Sequence, residues 1–198
     1  MKYSIVYLSI IFCTILQGKL ILPDANNEDW KVINTKHTWV GSKGYKGVDW
    51  SRAKGILHAP VEKVRNIIED KKNYPNVFKR IDEIQILTDE IVYIALDMPF
   101  PFAGRDYVVQ YSAEHTDTSF VYRYYSVEYP NAPSNKRYVR LPRSTGEWIL
   151  TPIDSSKTEV TYTWNGELLG NFPGSALPTA WTKQGTEVFG WLRDAIKK

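Results

Sequence analysis

Apolar positions change their period three times along the chain. Behind Met1-Lys2, "YSIVYLSIIFCTIL" runs fourteen residues without a charge. "DWKVINTKHTWV" and "GVDWSRAKGILHA" then alternate as strands, joined through "GSKGYKG", which predicts a mobile hairpin at Gly41, Gly44 and Gly47. In "APVEKVRNIIEDKK" the spacing turns helical: Val61, Val64, Ile67 and Ile68 share one face behind Pro60, a favourable first-turn residue.

From Ile81 the period is two. Ile84 and Ile86 alternate, as do Val92, Ile94, Leu96 and Met98. Tyr107, Val109 and Tyr111 share a face, and so do Phe120, Tyr122, Tyr124 and Ser126. Val160, Tyr162 and Trp164 share another, with Glu159, Thr161 and Thr163 opposite. One apolar face per strand predicts an antiparallel sheet that is wet on one side only. "SALPTAWTKQGTEVFGWLRDAIKK" closes the chain as a long helix with a buried stripe of Leu177, Trp181, Val188, Leu192 and Ala195. The order is α+β: a curved antiparallel sheet gripping one C-terminal helix. Between the helix and the concave face lies an internal hydrophobic cavity fit for an amphipathic small molecule.

Composition narrows the class. With 198 residues, 43% of them hydrophobic and 24% charged, the chain is one ordinary globular domain. Thirteen tyrosines and seven tryptophans suit a wide, partly polar interior. A net charge of +3 gives nucleic acid no bulk attraction.

The N-terminal run follows the grammar of a secretory signal peptide, residues 1–18: a charged start, an apolar stretch, then a small residue at Gly18. It is short for a membrane span of roughly 20 residues, although Leu16 in the cleavage motif keeps an uncleaved anchor open. Cleavage removes 18 of the 198 residues to leave 180, drops the net charge from +3 to +2 with Lys2, and discards Cys13, the one cysteine. The domain of residues 19–198 then needs no disulfide and suits an oxidising compartment. The expectation is export, to a periplasm or outside the cell.

Chemical motifs are sparse. "GSKGYKG" has neither P-loop spacing nor a Ser or Thr after Gly-Lys. His37, His58 and His115 stand apart from any metal-ligand spacing, no nucleophile elbow occurs, and no cofactor is called for. "MPFPFAGRDYVVQY" forms a proline-rich corner that ends one strand and begins the next. Arg105 and Asp106, adjacent in a strand, face opposite ways and anchor the corner to neighbouring elements rather than to each other.

These features resemble the START domain, the lipid-transfer module of the steroidogenic acute regulatory and phosphatidylcholine transfer proteins, whose helix-grip fold is shared with the Bet v 1-like superfamily. The resemblance spans about Trp30 to Ile196. It rests on "GILHAPVEKV", "PFPFAGRDYV", "YVRL" at 138–141, "EWILTP" at 147–152 and "PGSALP". It implies a lipid-like ligand bound, and transferred, without catalysis. The family's head-group devices are missing. Sterol-transporting members carry a buried acid–base pair; here Tyr111 stands at the basic position and "YIAL" at the acidic one. Phosphatidylcholine carriers use an Arg and an Asp where this chain has Pro75 and Lys79.

The expected cavity wall is therefore aromatic: Tyr107, Val109, Tyr111, Tyr122, Tyr124, Tyr162 and Trp164 from strands, with Trp181, Gln184, Gly185 and Val188 from the last helix. Arg143 and Glu147, four apart in a strand-like segment, share a face; inward they form a charge pair for the ligand, outward a solvated one. Gln184 interrupts an apolar stripe and needs a partner, whether ligand, water or core. Gly185, costing about 1 kcal/mol against alanine in a helix interior, is expected to widen the ligand space, with close packing as the alternative. The basic cluster Lys136, Arg137, Arg140 and Arg143 is either an anionic-membrane contact or a solvated hairpin. Two other functions stay open: a polyketide cyclase or aromatase on the same fold, and a ligand-free scaffold that binds another protein.

Overall fold

The computed structural model describes residues 20–198; the leader expected at residues 1–18 lies outside them. The alternation of period two becomes a ten-stranded sheet. Its first strands are β1 (Lys31–Asn34), β2 (Trp39–Tyr45) and β3 (Val48–Leu57). The helical period gives α1 (Val61–Glu69), followed by a single turn at Lys71–Asn73 and the short α2 (Tyr74–Val77). Then come β4 (Ile81–Ile86), β5 (Ile91–Leu96), β6 (Gly104–His115), β7 (Phe120–Ser126), β8 (Tyr138–Arg140), β9 (Thr145–Asp154) and β10 (Lys157–Asn165). The last helix, α3, spans Leu177–Ala195.

The sheet order is β1-β2-β3-β10-β9-β7-β6-β5-β4, so β3 and β10 join two antiparallel meanders. The short β8 runs parallel to β6 at Gly104–Asp106, before β7 takes up the pairing at Val109. The concave face and the two helices bury one continuous core that includes Val40, Leu57, Ile68, Val109, Leu150, Phe189 and Leu192. This is the α+β helix-grip arrangement that the alternation predicts. No helix among the described residues is long and apolar enough to cross a membrane.

Two expectations are corrected. "GSKGYKG" is a hairpin as expected, but its turn is shorter than three spaced glycines suggest: Gly41–Tyr45 belong to β2 and pair with β3, leaving Lys46-Gly47 as the turn. Both turn residues have positive φ (52° and 75°), the two-residue hairpin geometry that matches strand twist. Nor is the convex face wet throughout. Tyr93, Ala95 and Val108 are buried beneath the segment of Val127 to Tyr138. Trp30, Val48 and Trp50 form another cluster with Leu20 and Leu22. There the fully buried Arg52 donates to the carbonyls of Asp24 and Ala25 (3.0 and 2.8 Å) and to Thr163 Oγ1 (2.8 Å). Its guanidinium also lies 4.4 Å from the Trp30 ring centre. Burial lowers Arg52 to about 10, still charged at neutral pH.

Candidate ligand cavity

Between α3 and the concave face lies a cavity of about 330 Å³. The β6 corner closes one end. Arg105, 2% exposed, donates from Nε to the Leu168 carbonyl (2.7 Å), from Nη2 to that of Leu169 (2.9 Å), and from Nη1 to that of Ala103. Asp106, on the opposite face, takes a two-pronged ion pair from Arg140, both bonds 2.9 Å. The corner is thus tied to the loop before α3 on its inner side and to β8 on its outer side. Phe102 of the corner meets Phe172 of that loop at 4.7 Å between ring centres.

The wall is aromatic. Tyr107, Tyr111, Tyr124, Tyr162, Gln184 and Val188 line it, joined by Tyr74, Phe78, Trp148 and Trp191. Tyr162 stacks on Trp148 at 3.9 Å and shares a 2.9 Å hydrogen bond with the Tyr124 hydroxyl. Tyr74 donates to the Ile68 carbonyl at 2.5 Å. Burial pushes the phenols of Tyr74, Tyr107, Tyr111 and Tyr124 upward. It pushes Tyr162 up to about 12, against the opposing hydrogen bonds of Tyr124 and Gln184. A neutral phenol keeps its proton here because a phenolate has little water to stabilise it. Gln184, whose partner was open, therefore serves Tyr162 while one side of it lines the space.

The remaining candidates lie elsewhere. Val109, short and fully buried, stays in the core between the Tyr107 and Tyr111 positions of the same face. Tyr122 stacks on Tyr111 (4.9 Å) and takes a bond from Lys71 Nζ (3.3 Å), outside the cavity lining. Trp164 stacks on Tyr162 at 4.7 Å, and Trp181 donates to the Gly166 carbonyl at 3.0 Å; neither reaches the space. Gly185 faces the sheet: a Cβ there would sit 3.0 Å from Val40 Cγ2 and 3.1 Å from Ala53 Cβ. Close approach, not ligand space, explains this glycine.

Arg143 and Glu147 do not form a pair. Arg143 precedes β9, so strand alternation does not extend back to it, and it bonds Glu167. Glu147 points to the convex side and accepts from Arg123 Nε at 2.6 Å. Two further glycines are overlain by rings: a Cβ at Gly146 would collide with Tyr124, and one at Gly166 with Trp181.

A charged feature of the cavity was not anticipated. Arg80, just before β4, makes a bidentate pair with Glu187 of α3, Nε–Oε2 at 2.5 Å and Nη2–Oε1 at 2.8 Å. Both side chains line the cavity, with Asp97 and Lys183 nearby in the same wall. The sequence signal was Glu187 itself, an acid three residues beyond Gln184 and beside Val188 on the inward side of α3. Among the described residues, no group of three or more His, Cys, Asp or Glu is placed to hold a metal.

Known proteins give this geometry a family. The chain is 30% identical over 162 residues to the uncharacterized protein PA1579 of Pseudomonas aeruginosa, covering 77% of this chain and 76% of that one. A STAR-related lipid transfer protein from Xanthomonas axonopodis superposes with a TM-score of 0.71 at 22% identity, over 83% of this chain and 96% of that one. The Zhui aromatase/cyclase from Streptomyces sp. R1128 has the same fold more distantly, with a TM-score of 0.54 at 14% identity over 75% and 93% of the two chains. A family model described as START domain matches residues 12–187. A sheet gripping its last helix around an aromatic cavity, with that match over most of the sequence, makes the chain a member of the START domain family.

Proposed function

We propose that the protein is an exported carrier that holds one lipid-like molecule in the cavity beneath α3 and moves it between membranes without chemistry. The observation that carries this reading is the aromatic cavity itself. Its volume of about 330 Å³ sits at the lower end of ligand pockets. A space at that end of the range favours a single chain over a bulky two-chain lipid. Each methylene withdrawn from water contributes roughly 0.8 kcal/mol, so the predominantly apolar wall is the main source of affinity.

Membrane contact is assigned to the corner rather than to the basic cluster. Arg140 is paired with Asp106, Arg143 with Glu167, and Arg137 lies 3.6 Å from Asp82. By contrast Phe100, at the corner's tip, is 97% exposed, and Leu169 in the facing loop is 42% exposed. Exposed apolar side chains such as these gain by burial at the headgroup–acyl boundary of a bilayer.

A cyclase reading needs an acid or base that titrates near the working pH, and the phenols of the wall are pushed away from it. Native mass spectrometry of the purified chain, followed by organic extraction, tests the carrier. A co-purified hydrophobic molecule is expected. Repeated recovery of empty protein that takes up no lipid from vesicles overturns it in favour of a scaffold, and turnover of an added polyphenolic substrate overturns it in favour of a cyclase. N-terminal sequencing from the native host tests export, and an intact Met1 in the soluble fraction refutes it.

A further inference from the structure

Resting on the cavity as a binding site, we infer that its corner end takes the carboxylate head of a single-chain amphiphile, held by Arg105 and Tyr107. Arg105 lines the cavity yet is almost fully buried, and all its hydrogen bonds run to backbone carbonyls. Those bonds engage three of the five N–H groups of a guanidinium. No carboxylate lies within ion-pair distance of it among the described residues: its neighbour Asp106 is on the other face and is taken by Arg140. Burial lowers its proton affinity. A buried cation is strongly disfavoured without an anion to balance it, and the carbonyls supply dipoles but no charge. The open side of the site is the cavity.

Tyr107 stands two residues along the same strand face, roughly 7 Å further in, and lines the same space. Its hydroxyl has no hydrogen-bond partner among the described residues, and nothing but burial and the neighbouring Tyr162 acts on it. An unpaired neutral donor beside an unbalanced cation is a device for an anionic acceptor, and charge-assisted bonds to carboxylate are the strong ones. The other cations of the wall do not compete: Arg80 is already paired with Glu187, and Lys183 is exposed. The cavity's volume selects a short tail.

The test compares decanoate, decanol and methyl decanoate, equal in tail and different in head, by displacement of a fluorescent ligand from the full delipidated chain. At about pH 7.5 the carboxyl group is ionised. Decanoate should bind about ten-fold tighter than either neutral probe, and Tyr107→Phe should weaken decanoate severalfold. Arg105→Gln should abolish the preference. Because Arg105 also ties two loops together, the head-group series on the wild-type chain and the Tyr107→Phe variant decide the matter if Arg105→Gln does not fold. Equal binding of decanol or the ester, or a preference that survives Arg105→Gln, overturns the carboxylate site while leaving the cavity reading intact. Failure of all three probes to bind refutes both.

Discussion

Replacing Gly185 by leucine separates a packed helix–sheet contact from ligand space. The Cβ alone meets Val40 and Ala53 at 3.0 and 3.1 Å, with Trp164 Cη2 at 3.5 Å. Val40 and Ala53 are fully buried on β2 and β3, strands paired on both sides, so neither can withdraw. Overpacking of this kind costs about 1–3 kcal/mol, and the rigid surroundings place the leucine near the upper end. Relief of the glycine penalty in the helix returns about 1 kcal/mol, leaving a net loss of about 2 kcal/mol. For a chain of this size, that lowers the melting temperature by roughly 4–8 °C. Gly185→Ala, with a single carbon to fit, should come out near neutral because contact and propensity oppose each other. Thermal melts by circular dichroism, run beside lipid uptake, give the answer. A leucine variant that melts at or above the wild type while losing uptake would show that its side chain enters the cavity and that the contact has been misread.

The Arg80–Glu187 pair clasps α3 to the start of β4. A double-mutant cycle with Arg80→Ala and Glu187→Ala in urea unfolding should give a coupling of about 1–2 kcal/mol, after allowance for side chains that are 27% and 25% exposed. A coupling below about 0.3 kcal/mol marks the pair as solvent-dominated. The buried phenols make stability sensitive to alkali. Folding raises their pKa values, so their contribution is complete below pH 10, where unfolded tyrosine is still protonated, and drains as pH climbs through 10 toward 12. For Tyr162, raised to about 12, the loss amounts to roughly 3 kcal/mol. Denaturation midpoints should fall over that window, with phenolate absorbance appearing together with unfolding; early absorbance from a folded chain would contradict it.

Much of the architecture was legible because burial on one face imposes period two, and this chain keeps that period cleanly from Val92 to Trp164. The same rule places Tyr107, Tyr111, Tyr124 and Tyr162 on the cavity side. It says nothing about depth along that face, which is why Val109 and Trp164 share the face and not the cavity. It also misleads at element ends: counting from Glu147 back to Arg143 runs across a loop, where alternation has no meaning. Arg80 and Glu187 lie 107 residues apart, joined by the fold alone, so only the misplaced acid on α3 hinted at them. Arg52 sits inside the alternating run "GVDWSRAKGILHA", where nothing local shows that residues 23–25 return to cover it.

The rings laid over Gly146 and Gly166 tie pairs of distant positions into single hereditary units. Tyr124 can keep its place only while position 146 has no side chain, and Trp181 only while position 166 has none. Either member changed alone meets a collision or leaves a void, so a lineage drifts past such a pair only through a poorly fit intermediate. Among relatives these positions should change in concert: a side chain at 146 should accompany a smaller residue at 124, and one at 166 should accompany the loss of the tryptophan. Since Tyr124 lines the cavity, the wall around it would then be inherited in discrete alternatives, and a shift of ligand there would come as a jump rather than a gradual widening.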